Sequence, residues 1–431
     1  MKTFSFEPTI KVGIVCALKV SFFLPENRRA GILDKEKYYM AGKYQMSVID
    51  NFLSLYTPDG KEEKISENWF VYQTANQFLE ICDVEIGINF HWNRTENQKF
   101  NGNFEFCISN NKIQVINHIE LERYIKNVIS SEMSGENHPE LLKAHAIISR
   151  SWLMAQLTIK RPTCWQIDNP EMKVVWHDKQ EHQGFDVCAD DHCQRYQGVT
   201  RALNPNVSLA ADQTRGIFLF YNGEVCDARF SKCCGGITEE FENCWQPLHY
   251  DYLESIVDAD KDIQHLDIET FINTKPETFC NTDNKDLLKK ILNNYDAEYD
   301  NFYRWKVKYS VNQISALIAQ KSGEDFGEVT NLIALERGKS GRITKLKVVG
   351  TKKTKIFGKE LEIRRLLSQT HLYSSAFTIS KNSDTFTLNG AGWGHGVGLC
   401  QIGAAVMAEK GFDYISILKH YFPKAELIKK Y

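Results

Sequence analysis

Three short stretches of the chain hold side chains whose types and spacing could do chemistry. The first is VISSEMSGENHPELLKAHAIISRSW, residues 128–152, in which Glu132 precedes a glycine-containing break and the following segment offers Lys143, His145 and Arg150. A carboxylate at a helix junction beside apolar Ile129 and Met133 can have its pKa raised by partial burial, as a general acid requires. A solvated glutamate at a helix end is the competing reading. The second stretch is HQGFDVCADDHCQRYQG, residues 182–198, where His182, Cys188 and Cys193 stand as His-x5-Cys-x4-Cys with His192 adjacent. Thiolate and imidazole suit tetrahedral zinc. Against this, the spacing is not a paired zinc-finger signature, and buried free cysteines are common.

The third stretch, GAGWGHGVGLCQ at 390–401, places five glycines in nine residues. No Gly-Lys-Ser/Thr follows it and no strand–helix–strand unit comes after, so a phosphate loop and a nucleotide cofactor are not expected. Its glycines would let the backbone turn sharply and display Trp393 and His395, with Gln401 at the start of a helix. Rings on a rigid turn fit sugar stacking and hydroxyl hydrogen bonding; a tryptophan packed in the core is the alternative. Cys226, Cys233, Cys234 and Cys244, in CDARFSKCCGGITEEFENCW, could donate ligands or hold an adventitious disulfide, with a packed β-turn the favoured reading. Gly235 and Gly236 predict a tight turn after the vicinal pair.

The elements that must position these groups read as α+β, a mixed β-rich fold with intermingled helices. Residues 8–120 alternate or run apolar between turn clusters, as strands do. Apolar residues at helical spacing (Ile119, Leu121, Tyr124, Ile125, Val128, Ile129) predict a helix over 119–133, and a second starts near Pro139 and stops before Pro162. GIFLFYNGEVCDARFS predicts a hairpin turning at Asn222-Gly223. Residues 255–330 carry three amphipathic segments and read as a smaller helical lobe or insertion; strands return over 331–389. The division expected is a β-rich part at 1–118, a core of 119–254 and 331–431, and the lobe at 255–330.

Composition narrows the function. The chain has 431 residues, a formal charge of -3 and no basic run, so no nucleic-acid partner is expected. No apolar stretch reaches the roughly 20 residues of a membrane span. The opening MKTFSFEPTIKVGIVCALKVSFFLPENRR lacks a signal-peptide core, so the expected location is cytoplasmic as written, and the cell envelope if a leader has been removed. Twelve cysteines without an export signal favour reduced thiols or metal ligands.

SSEM with PELLKAHAIISRSW, and GAGWGHGVGLCQIGAAVMAEKG with the trailing HYFP, together resemble the SpoIID/LytB family of sporulation proteins and amidase enhancers. CQRYQGV, GGIT and SGRITKL fit the same family, so the likeness covers most of residues 80–425. The resemblance implies a peptidoglycan-active protein. Sporulation members are lytic transglycosylases that cleave between N-acetylmuramic acid and N-acetylglucosamine and leave a 1,6-anhydro end. The family's catalytic glutamate maps onto Glu132, with Lys143, His145, Arg150, Gln194, Tyr196, Trp393, His395 and Gln401 expected to shape a glycan cleft. Some members hold zinc through one His and two Cys, matching His182, Cys188 and Cys193. Glycan strands or muropeptides are the expected partners. The enhancer branch implies instead a non-catalytic, glycan-binding activator of an N-acetylmuramoyl-L-alanine amidase, and a third reading is a cytosolic protein that processes recovered muropeptides, which would account for the absent leader and the many thiols. The chain departs from the pattern at Ser134-Gly135-Glu136, where proline is usual, at His145 for Gln and at Trp152 for Tyr.

Overall fold

A computed structural model describes residues 6–74, 76–88, 93–159, 165–176, 182–190, 192–201, 204–260, 266–291 and 302–431. Among them are nine helices: α1 (Leu121–Glu132), α2 (Pro139–Thr158), α3 (Pro205–Gln213), α4 (Ile268–Asn273), α5 (Lys285–Ile291), α6 (Val311–Ser322), α7 (Glu360–Leu366), α8 (Gln401–Glu409) and α9 (Tyr414–Tyr421). With several sheets between them, the fold is α+β. No helix among the described residues is long and apolar enough to cross a membrane.

The chain divides into two compact units, residues 1–150 with 181–217 and 429–431, and residues 151–180 with 218–428. The β-rich opening is continuous with α1, because the Lys112–Glu120 strand runs directly into it. That strand also takes Ile119 and Glu120 from the predicted helix.

In the first unit a seven-stranded and a six-stranded sheet pack through aromatic side chains. Strict alternation in Lys19–Leu24 turns Val20, Phe22 and Leu24 inward, and Phe22 meets Tyr44 at 5.4 Å and Phe106 at 5.0 Å between ring centroids. The Thr9–Ala17 strand lies antiparallel to Lys112–Glu120, and its other edge takes the short Val187–Cys188 strand in parallel. α1 buries one stripe (Leu121, Tyr124, Ile125, Val128, Ile129) and packs on α3.

The second unit has a five-stranded sheet, from Trp165–Asp168 at one edge to Val329–Arg337 at the other, and a three-stranded sheet of Arg304–Ser310, Thr385–Ala391 and Phe377–Asn382. Ile314 and Ile318 of α6, Ile363 of α7, and Phe326, Leu346, Phe357, Phe377 and Leu388 make one core. α6 begins in a capping box formed by Ser310 and Gln313. The predicted hairpin forms: Asn222 and Gly223, both at positive φ, join Ile217–Tyr221 to Glu224–Val225. The three helical segments expected in 255–330 are α4, α5 and α6, although Leu292–Asp296 of the second prediction lie outside the described residues. The region is not wholly helical, since Arg304–Ser310 pairs with Thr385–Ala391 over its full length.

Candidate functional site

Glu132 is the last residue of α1 and half-buried, and its Oε1 accepts the Arg195 N–H at 2.9 Å. One residue earlier, the Ser131 hydroxyl donates to Asn127 O at 2.7 Å and accepts the Gln197 N–H at 3.0 Å. Two consecutive α1 side chains thus fasten two alternate amides of the 194–197 segment. Tyr124 reaches Gln194 from the same helix, hydroxyl to Oε1 at 3.3 Å. Tyr196 is sandwiched between Tyr124 and Phe100, with its hydroxyl 2.6 Å from Asn117 Oδ1.

Just upstream on this segment lie the predicted metal ligands, which the structure brings together along with His192. His192 adjoins Cys193 in sequence but sits outside the His-x5-Cys-x4-Cys spacing. His182 Nε2 is 3.3 Å from Cys193 Sγ, and His192 Nδ1 is 3.7 Å from Cys193 Sγ and 3.9 Å from Cys188 Sγ. The edges of a tetrahedron with zinc–sulfur bonds of 2.3 Å and zinc–nitrogen bonds of 2.0–2.1 Å are about 3.6 Å. The residues therefore fit zinc with four protein donors. The Cys193 thiol, then His182 and His192, hold Cys188 well below the usual thiol range, as a thiolate ligand requires. Asp190 anchors the loop by accepting the Gly87 and Ile88 amides at 3.0 and 3.3 Å.

Of the other side chains expected to shape the cleft, Arg150, His145, Gln194 and Tyr196 have interior positions. Arg150 is fully buried and forms a bidentate ion pair with Glu122 at 3.0 and 2.7 Å, while its third nitrogen donates to Ile217 O. His145 is fully buried with Nδ1 3.1 Å from Ser149 Oγ; burial pushes its pKa down to about 3, so the ring is neutral. Gln194 and Tyr196 are likewise buried. Lys143 is partly exposed and pairs with Glu140 at 2.7 Å.

In the second unit, Gly392, Gly394, Gly396 and Gly398 all have φ between 72° and 92°. A Cβ at Gly398 would come within 2.1 Å of Arg229 O, and one at Gly396 within 2.4 Å of the Arg342 guanidinium. Alternate glycines are required both by conformation and by close approach. Trp393 stacks on Tyr373 at 4.3 Å and meets Phe302 at 4.9 Å, while pairing with Cys233 through the backbone. His395 crosses Trp245 edge-on at 4.6 Å, and its Nδ1 accepts the Val397 N–H at 3.1 Å. Burial, followed by Arg229 and Arg342, drives its pKa well below the ordinary value, so this ring is also neutral. Both rings are half-buried, and Gln401 is buried at the first position of α8. Arg342, fully buried, donates to Gly394 O and Cys234 O and braces the loop. Its position in SGRITKL was the sequence signal, but nothing there tied it to the glycine block.

Residues 109–221, which hold Glu132 and the His/Cys loop, match the family described as Stage II sporulation protein; residues 239–398 match a domain of unknown function. The chain is 28% identical to an uncharacterized protein of Brachyspira hyodysenteriae over 77% of this chain and 72% of that one. It is 27% identical to the stage II sporulation protein D of Bacillus amyloliquefaciens, covering 72% and 75% of the two. Identity to the amidase enhancer of Bacillus subtilis is also 27%, over 70% of this chain and 40% of the longer relative.

Proposed function

This chain belongs to the SpoIID/LytB family, and from that premise we propose that it acts on peptidoglycan glycan strands as a lytic transglycosylase, with Glu132 as the single acid and base. The observation that carries the reading is the setting of Glu132: half-buried at the end of α1, with one oxygen held by the Arg195 amide. Protonated, the carboxyl donates to the glycosidic oxygen as the bond from muramic C1 breaks. The resulting carboxylate then takes the proton from the muramic C6 hydroxyl as that oxygen bonds to C1, closing the 1,6-anhydro ring and restoring the acid. No water is consumed.

His182, Cys188, His192 and Cys193 would hold a zinc ion. With four protein donors it would supply structure, fixing the segment whose amides grip Glu132 and Ser131. Buried Arg150, His145, Gln194 and Tyr196 support the same segment and α2 as positioning residues. Trp393 and His395 present half-buried rings suited to a sugar face and its hydroxyls.

Purified glycan strands, with and without stem peptides, incubated with wild type and Glu132→Gln test the reading by mass spectrometry. Anhydro-muramic ends from wild type alone are the expected result. The amidase enhancer relative favours a second reading, a glycan-gripping activator of an amidase. No anhydro ends from either protein, together with faster cleavage by an added amidase, would establish that reading and overturn the first.

A further inference from the structure

A second cluster of soft ligands lies in the other unit, apart from the groups used above. Cys234 precedes Gly235 and Gly236, whose φ values of 84° and 108° reverse the chain. Asp258 follows the bridge between Ile237 and Val257, and its carbonyl accepts the Phe279 amide at 2.7 Å, which brings up Cys280. Cys400 caps α8. All four residues are buried, and their donor atoms lie within 4.8 Å of one another.

The spacing matches a single ion. With zinc–sulfur bonds of 2.3 Å and a zinc–oxygen bond near 2.0 Å, tetrahedral edges are about 3.8 Å between sulfurs and about 3.5 Å from sulfur to oxygen. Cys234 Sγ is 3.6 Å from Cys280 Sγ and 3.4 Å from Asp258 Oδ2. The surroundings suit thiolates: the amides of Cys234 and Gly403 point at Cys400 Sγ from 3.2 and 3.4 Å, and the Gly236 amide at Cys234 Sγ from 3.3 Å. Tyr421 donates to Asp258 Oδ1 at 2.7 Å, which leaves Oδ2 free to face Cys234 Sγ. His420 Nε2 lies 3.5 Å from the same Oδ1. A cavity of about 50 Å³ has Cys280, Lys275, Asp283 and Ile402 among its walls.

We propose that Cys234, Asp258, Cys280 and Cys400 form a structural site for one zinc ion. Three sulfurs and one oxygen in a tetrahedron select zinc, and four protein donors leave no open position for catalysis. The ion ties the two ends of the glycine-block neighbourhood, Cys234 and Cys400, to Asp258 and Cys280 of the segment between them. Closing such long loops is where a cross-link is most stabilising.

The test is metal content per chain by plasma mass spectrometry on full-length protein grown with zinc and purified without chelator. Wild type should hold two zinc ions, Cys188→Ser one and Cys280→Ser one. The Cys188→Ser protein leaves the proposed site untouched, so its zinc-edge absorption reads the ligands even if Cys280→Ser fails to fold. It should report three sulfurs and one light atom. Zinc-free Cys188→Ser protein, a shell of two or fewer sulfurs, iron in place of zinc, or an intact mass indicating a Cys234–Cys280 disulfide would each overturn the assignment. Loss of zinc from the His182 loop alone would leave it standing.

Discussion

At the scale of single residues, Glu132 and Ser131 divide the work at the end of α1: one offers the carboxyl proposed to react, and the other fixes the segment that holds it. His145 makes the clearest pH prediction. Its folded pKa, about 3, lies below the unfolded value of roughly 6.5, so the unfolded chain binds the extra proton between these limits. Its contribution is therefore intact above about pH 6.5 and falls as the pH drops toward 3, by up to about 1.4 kcal/mol per pH unit. His145→Gln should flatten the acid limb of a denaturation series between those pH values; an unchanged limb would contradict the neutral buried ring. The roles of His145 and Arg150 were only half legible in the sequence. Their residue types and helix were clear, but a polar side chain near a candidate acid in the sequence looks the same whether it faces a ligand or the core. Only burial separates the two.

At the scale of elements, α1 and α2 were legible from periodicity, Pro139 and Pro162. The strand taking Ile119 and Glu120 was not, because a buried strand end and a helix start share the same apolar residues. Arg150 joins α2 to α1 through Glu122, which also accepts the Gly216 amide and the Tyr431 hydroxyl. Arg150→Met should cost about 3–5 kcal/mol in denaturant unfolding, by leaving a buried carboxylate without its cation. The double variant with Glu122→Leu should recover part of that loss. A weakened glycan affinity at unchanged stability would instead make Arg150 a substrate contact. The 182–197 segment makes a separate prediction. Removing metal should speed hydrogen exchange at the Arg195 and Gln197 amides, which α1 holds at 2.9 and 3.0 Å, and zinc should restore protection. Exchange indifferent to metal would separate the cluster from the carboxylate.

For the whole molecule, the sequence conveyed its α+β character, while contacts between distant stretches of chain define its two units. Residues 429–431 return to the first unit, where Tyr431 bonds Glu122, and residues 151–180 belong with 218–428. Contacts so distant in sequence leave no local pattern to read. The glycine block was legible as a turn because four alternate positive-φ glycines admit few other uses. Cys280 drew no notice alone, since its partners stand at 234, 258 and 400. The central claim is that Glu132 breaks the glycan bond without water. Its most direct measurement is digestion of purified strands in heavy-oxygen water, with mass analysis of the new muramic ends. Anhydro ends carrying no label, and absent with Glu132→Gln, are the predicted result; labelled reducing ends, or equal products from the variant, would contradict it.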